Sequence, residues 1–331
     1  MTTTSLTRRD FAALLLAGTT AAGLNVSTAA AQDYPSKVIK LIVPYGPGGP
    51  TDVVARVIAP IMQEALKQNV IIENRAGAGS VIGARAVASA DPDGYTILLG
   101  NLSTYAIAPA IMKKPGYDPT TAFAPIVQTS DIGSVAVTPA DFPAKTMQEF
   151  IAYAKANPGK VSFGSAGVGN SAHLIGELLK VKAGIDMTHV PYRSGAEMSN
   201  AIVAGQVQIG FTDLSASINL IREGKVKGLA ITSLKRSPEF PDMPTMIEVG
   251  FPDVMLRNWT GAAAPAGTPK PIVDKLLAAI NQALANSNVQ KTLAAIGAEA
   301  KPGTSEAFKA LIAEEFKRWG GVAKAANISI D

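Results

Sequence analysis

Two glycine-rich segments of the sequence carry the residue types that bind anions. The first reads Tyr-Gly-Pro-Gly-Gly-Pro-Thr-Asp at residues 45–52, and the second reads Gly-Ser-Ala-Gly-Val-Gly-Asn-Ser at residues 164–171. Glycine permits positive φ angles, so successive backbone N–H groups can point toward one guest. A helix that begins directly after such a turn adds partial positive charge at its N-terminus. Each segment, named here the first loop and the second loop, therefore predicts an anion-binding nest.

The two loops occupy equivalent places in the chain, because each follows the first strand of a strand–helix series. Ligands of open α/β sheets lie beyond the carboxyl ends of the strands, where both loops are expected. An ordinary strand-to-helix turn explains either loop alone. Their repetition favours a shared site, in which main-chain N–H groups from two sides hold one small anion.

Short β-branched runs alternate with longer helical patterns, and this alternation is typical of parallel sheets covered by helices. The chain is thus predicted to be α/β, with two lobes. Each lobe would contain a mainly parallel sheet flanked by helices, with the ligand cleft between the lobes. Apolar stretches at residues 124–138 and 253–264 indicate where the chain crosses. We expect one lobe from residues 33–127 plus 256–331 and the other from residues 128–255.

The first residues have the features of an export signal. Paired arginines in Thr7-Arg8-Arg9-Asp10-Phe11 precede an apolar stretch and the small-residue cleavage site Ala29-Ala30-Ala31. Residues 1–31 are therefore predicted to be a twin-arginine-like signal, with an ordinary Sec signal as the alternative. We expect a periplasmic protein. No later apolar run approaches the roughly 20 residues that cross a bilayer, so we expect the mature chain to be soluble.

The composition argues against several other functions. The 331 residues contain no cysteine, which excludes thiol catalysis, disulfides and thiolate metal sites. Only His173 and His189 are present, without the spacing of a metal-binding motif, so no metal is expected. The formal net charge of +4 is spread along the chain, so nucleic acid is not an expected partner. We predict that His173 is neutral and buried against the second loop, that His189 is structural, and that Trp259 and Trp319 anchor the core.

A third glycine-rich turn, Gly-Ala-Gly-Ser-Val-Ile-Gly at residues 77–83, leaves a different function open. Such a turn can hold a dinucleotide, and the twin-arginine route exports cofactor-loaded enzymes. An exported nicotinamide-dependent oxidoreductase is therefore the main alternative. The turn follows the second strand rather than the first, and no acidic residue follows at the spacing that holds a ribose. The sequence also has no phosphate loop ending in Gly-Lys-Ser/Thr and no Gly-x-Ser-x-Gly elbow with a partner histidine.

Many short stretches, in consistent order and spacing, carry a family resemblance. They are residues 34–37 (YPSK), 42–45 (IVPY), 47–49 (PGG), 51–52 (TD), 73–79 (ENRAGAG), 92–95 (PDGY), 154–160 (AKANPGK), 165–169 (SAGVG), 173–174 (HL), 189–192 (HVPY), 205–207 (GQV) and 265–269 (PAGTP). In them the chain resembles the substrate-binding receptors of tripartite tricarboxylate transporters, the Bug family. The resemblance implies a two-lobed periplasmic binding protein fold that closes on a ligand with at least one carboxylate and docks on membrane transporter subunits. We expect a monomer without enzyme activity or cofactor; a ligand sensor for a signalling partner is a further alternative.

The resemblance also implies which residues contact the ligand. They are Tyr45, Gly48, Gly49, Thr51 and Asp52 in the first loop, and Ser165, Ala166, Gly167, Gly169, Asn170 and Ser171 in the second. Asp213 matches a position that reaches the far end of the ligand, where it would pair with an amino or hydroxyl group. Ser103 follows a predicted strand and is expected at the same cleft edge, with helix capping as the alternative role. Capping is also the alternative for Asp52. Two aspartates at the site disfavour a polyanion, so a mono- or dicarboxylate is a better candidate than citrate.

Overall fold

The computed structural model describes residues 34–330, so the predicted export signal lies outside the described residues. The strands of this part of the chain are β1 (Ile39–Val43), β2 (Val70–Asn74), β3 (Thr96–Asn101), β4 (Phe123–Pro139), β5 (Ser162–Ser165), β6 (Thr188–Pro191), β7 (Ile209–Asp213), β8 (Val226–Ile231), β9 (Arg257–Pro265) and β10 (Ala298–Ala300). The helices are α1 (Pro50–Leu66), α2 (Val81–Ala88), α3 (Ala108–Ile111), α4 (Met147–Ala156), α5 (Ser171–Ala183), α6 (Gly195–Val203), α7 (Leu214–Arg222), α8 (Lys270–Ala285), α9 (Ser287–Ala295) and α10 (Ser305–Ala325). A 3-10 turn at Ala78–Ser80 precedes α2, and a π-helix at Ser103–Ile107 precedes α3.

The strands form one mixed sheet in the order β2-β1-β3-β9-β4-β7-β5-β6, with β8 and β10 also paired to β4. β1 is parallel to β2 and β3, and β5 is parallel to β6 and β7, as the alternation of strands and helices predicts. Between these two parallel groups, β4 and β9 run antiparallel to their neighbours. The carboxyl ends of β1 and β5 therefore carry the two loops on separate parallel groups.

The long strand β4 connects the two parallel groups. Its pairing with β9 ends where Gly133 lies opposite Arg257. Its pairing with β7 begins at the next residue, where Ser134 lies opposite Asp213. β4 and β9 thus lie on the two apolar segments at which the sequence predicts chain crossings.

Several helices begin at a side-chain cap and bury an apolar face. Asn170 caps α5 by accepting a hydrogen bond from the Ala172 N–H, and Thr304 caps α10 by accepting from the Ala307 N–H. The two long C-terminal helices pack on the N-terminal part of the chain: α8 contacts α1, and α10 contacts the π-helix and α3. Among residues 34–330, no helix is long and apolar enough to span a bilayer.

Aromatic side chains fill the core where α10 meets the sheet. Trp259 and Trp319 are fully buried, which confirms them as core anchors. Tyr105 stacks on Trp259 with ring centroids 5.8 Å apart, and Phe308 meets both rings edge-on. Because Tyr105 belongs to the π-helix, this packing holds the segment after β3 against β9 and α10.

Candidate ligand-binding site

The first loop is folded around the carboxylate of Asp52. This side chain is almost fully buried and accepts hydrogen bonds from the Gly48 N–H at 2.9 Å, from Asn74 Nδ2 at 2.9 Å and from Arg56 Nε at 2.7 Å. Burial opposes ionisation, but the hydrogen bonds from Arg56, Gly48 and Asn74 outweigh it and lower the pKa of Asp52. Both carboxylate oxygens are therefore engaged within the protein, which favours the capping and positioning role of this residue.

Tyr45 anchors the start of the first loop to the end of β3. Its hydroxyl donates to Asn101 Oδ1 and lies 2.8 Å from Thr104 Oγ1, and its carbonyl oxygen accepts from Asn74 Nδ2 at 3.0 Å. Burial raises the pKa of Tyr45 to about 12, so the hydroxyl stays protonated. The backbone N–H of Ser103 also donates to Asn101 Oδ1, at 2.9 Å. The structure thus brings the predicted residues Tyr45 and Ser103 together through Asn101.

The second loop is held by the hydroxyl of Ser165. Ser165 Oγ donates to the Gly167 carbonyl at 2.9 Å, accepts from the Gly167 N–H at 3.2 Å, and lies 2.6 Å from His189 Nε2. A hydroxyl has one hydrogen and two lone pairs, so this set assigns the donor role to His189 Nε2. The hydroxyl is fully buried and fully used within the protein. A ligand contact from Ser165 would therefore come from its backbone.

Two neutral histidines contact the second loop. The rings of His173 and His189 stack with centroids 3.8 Å apart, and the Gly169 N–H donates to His173 Nδ1 at 3.1 Å. Burial lowers the pKa of each imidazole to about 4. Both rings are therefore neutral at pH 7, which confirms the neutral, buried His173 and the structural His189 that the sequence predicts.

The segment at residues 101–111 contacts both loops. At its start, Asn101 and Thr104 hold the Tyr45 hydroxyl of the first loop. At its end, Ile111 packs against the second loop so closely that a Cβ added to Gly169 would lie 2.3 Å from Ile111 Cδ1. The π-helix and α3 thus bridge the two loops, and π-helical turns are frequent at functional sites.

A cavity of about 650 Å³ opens at the carboxyl ends of β5 and β7, and we name it the second-loop cavity. Ala166, Asn170 and Ser171 of the second loop line one side of it. Other polar groups around it are Ser199, Asn200, Thr212, Asp213, Asn219 and Asn258, and apolar ones include Met198, Phe211 and Leu256. None of the described residues that line it is lysine, arginine or histidine. An anion in this cavity would depend on main-chain N–H groups, amides and hydroxyls, as predicted for a helix N-terminus.

Asp213 lines the second-loop cavity beside a partner that the sequence does not reveal. Asn258 Nδ2 donates to Asp213 Oδ1, and burial raises the pKa of this carboxyl group. Asn258 belongs to β9, whereas Asp213 ends β7, so the pair links the two parts of the sheet. No motif marks Asn258, and the predicted chain crossing at residues 253–264 is the only signal near it.

The structure places the predicted residues in two groups. Tyr45, Gly48, Gly49, Thr51, Asp52 and Ser103 lie at the carboxyl ends of β1 and β3, whereas Ser165, Ala166, Gly167, Gly169, Asn170, Ser171 and Asp213 lie at the carboxyl ends of β5 and β7. The residues that line the second-loop cavity include none from the first loop. Contact of both loops with one ligand therefore stays a prediction.

The third glycine-rich turn forms a left-handed bend beside the first loop. Residues 77–80 all have positive φ, including the non-glycine residues Ala78 and Ser80. Gly83 lies where α2 touches Pro44, the residue before the first loop, since a Cβ there would be 2.7 Å from Pro44 Cβ. Positive φ at Gly77 and Gly79, and the packing of α2 against Pro44 at Gly83, account for these three glycines.

Solved structures with this fold define the class of the protein as a periplasmic binding protein. BugD, described as a periplasmic binding protein, is 37% identical, with a TM-score of 0.74, over 89% of this chain and 99% of its own. MatC from Rhodopseudomonas palustris, solved with bound malate, is 35% identical with a TM-score of 0.74, over 87% and 99% of the two chains. Rpa4515 from R. palustris, solved with adipate, is 33% identical with a TM-score of 0.78, over 90% and 99%.

The family model of the tripartite tricarboxylate transporter family receptor, TctC, matches residues 54–328. The chain therefore belongs to this receptor family, as the resemblance of its short stretches implies. Its members are solute-binding receptors rather than a class of enzymes.

Proposed function

We propose that this protein binds a small mono- or dicarboxylate outside the cytoplasm and presents it to the membrane subunits of a tripartite tricarboxylate-type transporter. The observation that carries this proposal is the second-loop cavity. It lies at the N-terminus of α5, has the volume of a small-molecule site and is lined by amides and hydroxyls. The related MatC and Rpa4515 hold malate and adipate, which supports a carboxylate as the guest.

Asp213 restricts which carboxylates fit. Its carboxyl group lines the same cavity, with one oxygen held by Asn258. An ionised Asp213 would repel the third carboxylate of a tricarboxylate such as citrate and would attract an amino group. A protonated Asp213 would donate a hydrogen bond to a ligand oxygen. We therefore expect malate, succinate, adipate or an acidic amino acid to bind more tightly than citrate.

The ligand would couple to closure of two lobes, residues 33–127 plus 256–331 and residues 128–255. β4 and β9 are the strands that run between the parallel groups, so they would form the hinge. Closure would bring the first loop toward the ligand from the opposite side. The membrane subunits would then bind the closed monomer.

A binding role without catalysis is supported by the geometry of the serine–histidine contact at the site. Ser165 Oγ is close to His189 Nε2, as in a hydrolase, but the Ser165 side chain is fully buried and its hydroxyl is engaged by Gly167. A substrate would not reach this oxygen.

A thermal-shift screen of the purified protein tests the proposed ligand class. The panel contains malate, succinate, adipate, aspartate, citrate and glucose. A ligand at 100 times its Kd stabilises the folded state by about 2.7 kcal/mol, which corresponds to a rise in Tm of several degrees. Dicarboxylates are expected to raise Tm and glucose to leave it unchanged. Stabilisation by glucose alone would show that the carboxylate assignment is wrong.

A further inference from the structure

A second cavity, of about 320 Å³, lies where β4, β9 and β10 meet the segment after β8, and we name it the basic cavity. Asp131 and Gly133 of β4 line it together with Arg257 of β9. The remaining lining residues come from the segment 233–238 and from β10 and its flanks at residues 297–301, apart from one at the start of α7. Neither loop of the candidate ligand site contributes to it.

The basic cavity lies on the opposite face of the sheet from the second-loop cavity. Leu256 and Asn258 line the second-loop cavity, whereas the intervening Arg257 lines the basic cavity. Successive side chains of a strand point to opposite faces, so a guest in one cavity does not touch the other.

The basic cavity has an excess of positive charge. Four of its lining residues are basic, Lys235, Arg236, Arg257 and Lys301, and two are acidic, Asp131 and Glu299. Glu299 pairs with Lys301 at 2.7 Å, and Arg236 pairs with Glu248, which is not a lining residue, at 3.0 Å. Among residues 34–330, Lys235 has no ion-pair partner. The charge that remains after pairing is therefore positive and faces the cavity.

Arg257 places the hydrogen-bond donors of a partly buried guanidinium in this cavity. Its side chain is only 22% exposed, and Asp131, itself 10% exposed, accepts from its Nη1 at 2.8 Å. No other hydrogen bond of this guanidinium occurs within the described part of the chain, so Nε and Nη2 are left as donors. A guanidinium oriented by a buried carboxylate and partly removed from water binds oxyanions more strongly than an exposed lysine.

We propose that the basic cavity is a second anion site, which binds a small oxyanion with two negative charges through Arg257 and Lys235. Inorganic phosphate and small dicarboxylates share this chemistry. The cavity volume is at the lower end of the range for small-molecule sites, which matches guests of this size. This site is separate from the proposed carboxylate receptor function, so failure of one does not imply failure of the other.

Titration calorimetry of the purified protein at low ionic strength tests this site, with inorganic phosphate and with succinate as separate probes. Lys235→Glu is expected to weaken the binding of phosphate, succinate or both by at least about ten-fold, because it places a negative charge at the site. Lys309→Glu, on the exposed face of α10 outside the cavity, makes the same change in net charge and serves as the control. The control is expected to change the Kd by less than about two-fold.

Arg257→Gln is expected to weaken the same binding while leaving Asp131 in place. If Arg257→Gln does not fold, the result for Lys235→Glu tests the proposal. Competition between succinate and phosphate would show that both use the basic cavity. Succinate binding that is insensitive to Lys235→Glu would belong to the second-loop cavity. The proposal is overturned if neither probe binds with saturation, or if Lys235→Glu and Lys309→Glu weaken binding equally.

Discussion

Replacing Gly83 by alanine places a methyl group where α2 touches Pro44, the residue before the first loop, and we expect it to destabilise the protein by about 2 kcal/mol. The new Cβ would lie 2.7 Å from Pro44 Cβ, 2.8 Å from Pro44 Cα and 2.8 Å from the Arg75 carbonyl oxygen. Two of these atoms belong to the backbone, so rotation of a side chain does not relieve the overlap. Overpacking costs about 1–3 kcal/mol, and a required backbone shift favours the upper end. The higher helix propensity of alanine offsets about 1 kcal/mol of this cost.

Gly321→Ala is the matched control for this prediction. Gly321 lies within α10, and an added Cβ would meet no atom within 4 Å. The same exchange is therefore expected to stabilise the protein, by up to about 1 kcal/mol. Urea denaturation followed by circular dichroism should show midpoints that move in opposite directions with unchanged slopes. Stabilisation by Gly83→Ala would refute the packing argument.

The same pair of variants tests whether the first loop takes part in ligand binding. The overlap in Gly83→Ala displaces Pro44, the residue before the first loop. We expect weaker binding of malate or adipate by calorimetry in Gly83→Ala and unchanged binding in Gly321→Ala. A destabilised Gly83→Ala variant with unaltered affinity would contradict the prediction of a ligand shared by both loops.

Three further predictions concern the second loop and its cavity. Gly169→Ala and Gly184→Ala each place alanine at positive φ, which costs about 1–2 kcal/mol of stability. Only Gly169→Ala adds a Cβ that would lie 2.3 Å from Ile111 Cδ1. Gly169→Ala should therefore unfold at a lower urea concentration than Gly184→Ala, and of the two variants only Gly169→Ala should weaken ligand binding. Folding lowers the pKa of His173 from 6.5 in the unfolded chain to about 4, so its contribution to stability, about 3 kcal/mol, is present at pH 7 and lost as the pH falls from 6.5 to 4. His173→Gln should therefore make the free energy of unfolding depend less steeply on pH. A variant as steeply pH-dependent as the wild type would argue against this. Asp213→Asn replaces a carboxyl group that can carry a negative charge with a neutral amide, and we expect it to shift the ratio of citrate to malate affinity toward citrate by about ten-fold. An unchanged ratio in calorimetry would contradict the proposed selectivity.

The local features of the site follow from neighbouring residues, which is why sequence patterns predict them well. Strand, glycine turn and helix follow one another within about ten residues in both loops, and the cap at Asn170 acts on Ala172, two residues away. The alternation of strands and helices likewise predicts the two parallel groups, because a helix must connect parallel neighbours.

Contacts between distant residues were decided by the tertiary structure. Asn258 reaches Asp213, and Arg257 reaches Asp131, because the antiparallel strands β4 and β9 place these residues side by side. The sequence indicates where the chain crosses, but periodicity does not give the register of a strand pair. Without the register, the partners of these two aspartates are undetermined.

The sequence by itself determined the α/β class, the receptor family and the positions of two loops rich in main-chain donors. Only the tertiary structure decided which polar groups remain for a ligand. It engages Asp52 with Gly48 and Asn74, and it engages the Ser165 hydroxyl with His189 and Gly167, whereas Asn170 and Asp213 line a cavity. The physical reason is that a buried polar group must find hydrogen-bond partners, and in a folded chain those partners come from strands far apart in sequence.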